Sequence, residues 1–211
     1  MVKITQNNDD CYQCGVCCRN HTVLITFRDL REIHRYFPEI NLLDIITIFT
    51  APEDYIDKCE LTEHYPKIKI KEESGVIEGY LGIKFKNISD PENPSTMIRV
   101  CPLQDDTHRV CTIHKHKPMV CRVYPHVIRM KKLSNGEEHE ELLWENGRCP
   151  GSWIGSETSQ MALRKRIKTA HYLHDKFHNE VEEWNRIYQS KTVQGFIEFI
   201  LGNENKEDYL L

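Results

Sequence analysis

Hydrophobic and polar positions follow two rhythms along this chain, and the rhythm changes twice. The first is helical. HTVLITFRDLREIHRYF, residues 21 to 37, predicts a short strand running into a helix: Thr26 is the N-cap, Asp29 follows three residues on, and Leu30, Ile33, His34 and Phe37 recur at helical spacing. Pro38 ends that segment, and NLLDIITIFTA predicts a second helix capped by Asn41, again with an acid three residues later. Pro52 and the acidic EDYIDKCE predict a turn and one more helical turn.

From residue 67 the period becomes two. KIKIK and VIEGYLGIKFK alternate and are rich in β-branched and aromatic residues, with Ser74-Gly75 as the turn between them. SDPENPS is a polar, proline-rich loop, and TMIRVC a further strand. HVIRMKKL, SNG and EEHEELLWE read as a second hairpin. Beyond CPGSWIG the helical period returns over residues 158 to 190, where Leu163, Ile167, Ala170, His174, Phe177, Val181, Trp184 and Tyr188 fall in one stripe. TVQGFIEFIL predicts a shorter closing helix. The expected fold is α+β: a small cysteine-rich domain of antiparallel strands and short helices over residues 1–155, with a long helical C-terminal arm over 156–211 packed on it.

Composition narrows the function. The net charge of −4 over 211 residues, with no Lys/Arg block, leaves no electrostatic footprint for nucleic acid or an anionic membrane surface. No apolar stretch approaches the roughly 18 residues of a membrane span. The opening MVKITQNNDD is too polar for a secretory h-region, so a soluble, cytoplasmic protein is expected. In a reducing compartment, nine cysteines, an odd number, point to metal rather than to a disulfide framework.

Four of them crowd into CYQCGVCCRN: Cys11, Cys14, Cys17 and Cys18. CPLQDDTHRVCTIHKHKPMVCRVYP adds Cys101, Cys111 and Cys121, and CPG adds Cys149. Without Cys59, these eight make two sets of four, the usual complement of a tetrahedral zinc or of one iron–sulfur cube. Cys59 sits among carboxylates, which oppose the thiolate a metal needs. The spacing Cys11-x-x-Cys14-x-x-Cys17 repeats the first three ligands of a bacterial ferredoxin run, in which the remaining cysteine precedes proline. Cys101-Pro102 and Cys149-Pro150 offer that pair twice. Gly15 inside the loop lets backbone approach a cluster closely. The neighbours Cys17 and Cys18 diverge, which suits ligation of different sites or a supporting role for Cys18. A C-x3-C-x2-C radical motif, a G-x-G-x-x-G loop and a P-loop are all absent.

These residues carry a resemblance. CxxCGxCC, then CPL…CTIH…KPxxCRxYP, then CPG, is similar to the YkgJ-type cysteine-cluster family of zinc- or iron-chelating proteins, to which the flagellin lysine methylase is related. The resemblance implies a metal-binding fold, with an iron–sulfur cluster and an unassigned reaction. Relatives carry Tyr where His114 stands and Arg-Pro where this chain has Lys117-Pro118.

The histidines have plainer readings. His114 and His116 flank cysteines that already fill two sites, and His171, His174 and His178 line the edge of the apolar stripe as partly buried side chains. Pro118 opens a short helix that Pro125 ends, with Arg122 and Tyr124 bracing the cysteines, while Trp144 and Trp153 shield Cys149. Two functions compete. One is a [4Fe–4S]-type protein in redox chemistry or substrate modification, methyl transfer included, with a protein substrate or redox partner. The other is a non-catalytic module in which zinc in two four-cysteine sites folds the domain and a surface recruits a partner.

Overall fold

The computed structural model describes residues 15, 17–20, 22–50, 65–73, 75–90, 93–105, 107, 110–124, 126–132, 136–144, 157–187 and 192–203. Along them run α1 (Cys17–Asn20), α2 (Phe27–Tyr36), α3 (Leu42–Ile45), β1 (Ile46–Phe49), β2 (Ile68–Glu72), β3 (Gly75–Ile83), β4 (Lys86–Ser89), β5 (Met97–Val100), a 3-10 turn (His114–His116), α4 (Met119–Val123), β6 (His126–Lys132), β7 (Glu138–Trp144), α5 (Glu157–Ile187) and α6 (Val193–Gly202). The fold is α+β, with antiparallel sheets, short helices and one long C-terminal helix. The acidic EDYIDKCE segment and Tyr188 lie outside the described residues.

Helix α2 starts as the sequence dictates. The Asp29 carboxylate accepts from the Thr26 amide at 2.9 Å and from its hydroxyl at 3.1 Å, closing a capping box. Phe27, Leu30 and Ile33 are fully buried. His34 is exposed, contrary to its place in the expected stripe, because the last turn of α2 leaves the core and carries His34, Arg35 and Tyr36 into solvent together.

The expected second helix lasts one turn. Asn41 caps it, its side chain accepting from the Leu43 amide at 3.2 Å, and the chain then becomes β1. The β-branched run Ile45-Ile46-Thr47-Ile48 explains the change: it suits a pleated surface better than a helix, and the second half of β3 offers it a partner from Ile46↔Ile83 to Phe49↔Tyr80. Strand β3 is shared, since its first half pairs with β2 from Glu72↔Gly75 to Ile68↔Gly79. Gly79 sits at the handover, where a Cβ would stand 2.6 Å from the Phe49 carbonyl oxygen, so only glycine fits. VIEGYLGIKFK is therefore not one strand but β3, a break at Lys84–Phe85, and the start of β4. The hairpin of β4 and β5 delivers the chain to Cys101, and β6 and β7 form the second expected hairpin.

Helix α5 buries Ile167, Ala170, Leu173, Phe177, Val181 and Trp184, and α6 adds Phe196, Ile197 and Ile200. From Ala170 onward these side chains join one continuous core with residues of α2, α3, β1, β2 and β3, and with Cys101, Leu103, Ile113 and Met119. Strand β2 is an edge of its sheet, and α5 covers it. Asn185 accepts from the Lys69 amide at 3.0 Å and donates to the Lys67 carbonyl at 2.9 Å, while Trp184 Nε1 donates to the Lys69 carbonyl at 3.1 Å. Among the described residues no helix is long and apolar enough to cross a membrane.

Candidate metal centre

Gly15 is buried with φ of 74°, the left-handed conformation a side chain resists, so the loop between Cys14 and Cys17 turns where the sequence placed its glycine. Cys17 and Cys18 open α1. The Cys18 carbonyl accepts from the Cys101 amide at 2.8 Å, which joins the N-terminal cysteine segment to the loop that follows β5.

That loop folds back on itself. The Gln104 amide donates to the Cys101 carbonyl at 3.0 Å and the Asp105 amide to the Val110 carbonyl at 2.9 Å. Gln104 and Cys111 form an isolated antiparallel bridge, and Thr112 donates to the Leu103 carbonyl through both its amide and its hydroxyl, each at 2.9 Å. The segment from Cys101 to Cys111 thus closes into a compact turn. Cys101 is buried in the main core, and Cys18, Cys111 and Cys121 pack against it.

Cys121 rides on α4, which begins after Pro118 and stops at Tyr124 as expected. Two acids of α2 hold this short helix. Asp29 Oδ1 accepts from the Met119 amide at 2.7 Å, one of the N-terminal donors a helix leaves unmatched. Glu32 pairs with Arg122 at 2.5 Å and with Arg28 at 3.1 Å, while Arg122 Nε donates to the Lys117 carbonyl at 2.7 Å. Arg122 braces the segment, then, but through α2. Sequence reasoning gave Asp29 only its capping role and gave Glu32 none. Their signal was two acids flanking Leu30 and Ile33 on the buried side of an amphipathic helix.

Asp29 is buried, and burial raises its carboxyl above the ordinary 3.8 despite the donors from Thr26 and Met119 that favour the charged form. Asp29→Ala should cost about 2–4 kcal/mol, since two buried amides lose their acceptor. A raised acid contributes fully below its ordinary pKa, and that contribution fades as pH rises through the folded value. The gap between Asp29→Ala and wild type in urea unfolding should therefore narrow from acid toward neutral pH. A gap that widens instead would contradict the raised pKa.

Tyr65 is buried beside this helix. Its hydroxyl is held neutral, first by burial and then by the charges of Asp29 and Cys121. Its ring meets that of His174 at 4.5 Å between centroids, so the α5 histidine next to the apolar stripe reaches the neighbourhood of Cys121. His174 and His178 are half-buried, as expected, and His171 is exposed. His116 stacks on Tyr36 at 3.9 Å and meets Phe37 edge-on, which places it at the end of α2.

The structure thus joins Cys18 to Cys101 by a backbone bond and folds Cys111 back toward Cys101. It sets Cys121 against the same core on a clamped helix. Among the described residues no three of His, Cys, Asp and Glu form a group that could hold a metal ion. Cys11, Cys14, Cys149, Cys59, Pro125 and Trp153 lie outside the described residues, as does the side chain of Trp144. Thiolates in sets of four are the donors that tetrahedral zinc and iron–sulfur cubes use, so the cysteines present fit either group.

Thiol-bearing turns gathered on one core, with a left-handed glycine at position 15, suit a cysteine-based chelating domain. Residues 10–150 match the family model of the CxxCxxCC domain, described as zinc- or iron-chelating, and the chain belongs to that family. No match is found among curated proteins or among solved structures.

Proposed function

We propose that Cys11, Cys14, Cys17, Cys18, Cys101, Cys111, Cys121 and Cys149 supply metal ligands in sets of four, with an iron–sulfur centre of the [4Fe–4S] type among them, used in redox chemistry or in modifying a substrate. The observation that carries the reading is Gly15, buried and left-handed inside Cys11-x-x-Cys14-x-x-Cys17. A loop wrapping three corners of a cube needs backbone that close, with amide hydrogens free to face sulfide. Such a centre would supply one-electron transfer, and this chain's own residues would supply its surroundings: a dry core behind Cys101 and a clamped helix under Cys121. The partner class is a redox protein or a protein substrate. Burial of Cys101 in the core favours a second reading, in which zinc thiolates fold the domain and a surface recruits a protein.

Anaerobic purification with metal analysis separates the two. The iron reading expects brown protein whose broad visible absorbance bleaches under air or dithionite, as thiolate-to-iron charge transfer requires. Colourless protein with stoichiometric zinc would replace it by the zinc module.

A further inference from the structure

We propose that the outer face of α5 between Met161 and Tyr172 is a docking groove for a short acidic segment of a partner protein, one that carries an apolar side chain among its carboxylates. The proposal rests on the reading that this chain meets a protein partner, and it holds for iron and for zinc alike. Helix α5 turns Ile167, Ala170 and Leu173 into the protein. Its outer side carries a groove of about 510 Å³, lined among the described residues by Met161, Arg164, Lys165, Lys168, Thr169 and Tyr172. Met161 and Tyr172 stand at its two ends, 65% and 45% exposed. Methionine, tyrosine and arginine are residue types enriched where proteins meet, and here all three border one groove.

Charge selects the occupant. Arg164, Lys165 and Lys168 edge the groove, and Lys176 lies 5.2 Å from the centre of the Tyr172 ring. Lys168 is one helical turn from both Arg164 and Lys165, so like charges are neighbours on the helix surface, an arrangement that costs the helix and that a bound anion relieves. The chain as a whole carries −4, so this basic stretch is a local reversal of sign. It is also short: Met161 to Tyr172 rises about 16 Å along the helix, the length of about five extended residues. Beyond it the same side of α5 carries Asp175, then Glu182 and Glu183, all exposed. A nucleic-acid strand or an anionic membrane would run on over those acids and be repelled. A short acidic segment ends before them. Its apolar side chain can lie against Met161, Tyr172 and the hydrocarbon stems of the cations.

The test is fluorescence anisotropy on the full chain, with a labelled eight-residue peptide of Glu and Asp with Leu at its centre. Wild type should bind this probe, more weakly as salt rises. Lys165→Glu with Lys168→Glu should weaken binding about tenfold or more. Both side chains are exposed, so helical circular dichroism and metal content should not change. Tyr172→Ala should weaken binding about fivefold, and replacing the probe's Leu by Ser should erase that difference, which ties the apolar contact to the groove. No binding of the probe, or binding that the double variant leaves intact, overturns the groove and leaves a protein partner to another surface. Equal binding of a single-stranded oligonucleotide of the same charge, or of anionic vesicles, overturns the acidic segment as its occupant. So does a salt-sensitive dimer in sedimentation that the double variant abolishes, since the occupant is then a second copy of the chain.

Discussion

Cys121→Ser is expected to remove or convert a metal centre while the fold around position 121 survives. A serine hydroxyl is far harder to deprotonate than a thiol, so it cannot supply the anionic ligand that zinc or iron–sulfur chemistry requires. The helix that carries the residue does not depend on the thiol. Its N-terminus is held by Asp29 at the Met119 amide, and its Arg122 by Glu32 and the Lys117 carbonyl. Helical circular dichroism should therefore stay close to wild type while metal analysis shows the loss. Cys59→Ser is the matched control. It lies in the acidic EDYIDKCEL and stands outside the proposed set of eight, so it should keep full metal content. Its cost should be about 1 kcal/mol or less. If Cys59→Ser loses as much metal as Cys121→Ser, the ligand set must be redrawn to include it.

Arg31→Ala should be among the most destabilising single changes, at about 3–5 kcal/mol. Arg31 is 1% exposed, and its guanidinium serves three elements. Nε and Nη2 donate to the Ile200 carbonyl at 2.9 and 2.7 Å, Nη1 and Nη2 each meet a Glu180 oxygen at 3.3 Å, and the group lies 4.6 Å from the Phe27 ring centre. Ile200 stands in the last turn of α6, where carbonyls have no intrahelical donor, so the arginine also caps that helix. Truncation strips the cap and takes the guanidinium away from the Glu180 carboxylate. Arg31→Lys should recover part of the loss, because one ammonium cannot fork to both acceptors. Arg31→Met with Glu180→Leu should recover more, since no charge is then left behind. Urea unfolding measures all three, and a loss below about 1 kcal/mol for Arg31→Ala would mean the guanidinium is not holding the helices together.

The features legible in the sequence are those encoded locally. Thr26 with Asp29, Asn41, the turn at Gly75 and the α5 stripe at Ile167, Ala170, Phe177, Val181 and Trp184 each state their structure within a few residues, and each is where the pattern put it. Local logic failed at residues 46–49, where a good cap and an acid in the first turn argue for helix while an open half of β3 makes strand the better outcome. No window of the sequence contains that half-strand. The candidate site shows the same division. Gly15, placed in its loop for close backbone approach, is left-handed, and the bridge of Gln104 with Cys111 folds the segment after Cys101 back on itself. The support beneath Cys121 comes from Asp29 and Glu32, 90 residues before the groups they hold, and sequence periodicity carries no information at that range.

The bond from Arg31 to Ile200 spans 169 residues, and this gives the protein an order of assembly. During synthesis α2 emerges early, but the carbonyl that satisfies its buried guanidinium is made only when α6 appears. The acids that steady the Cys121 turn sit on that same helix, so their support is incomplete until nearly all the described chain has left the ribosome. Contacts this distant form late and slowly. The cysteine segments are therefore expected to wait as exposed thiols through most of translation, with metal loading a post-translational event that needs a reducing environment or a protecting carrier.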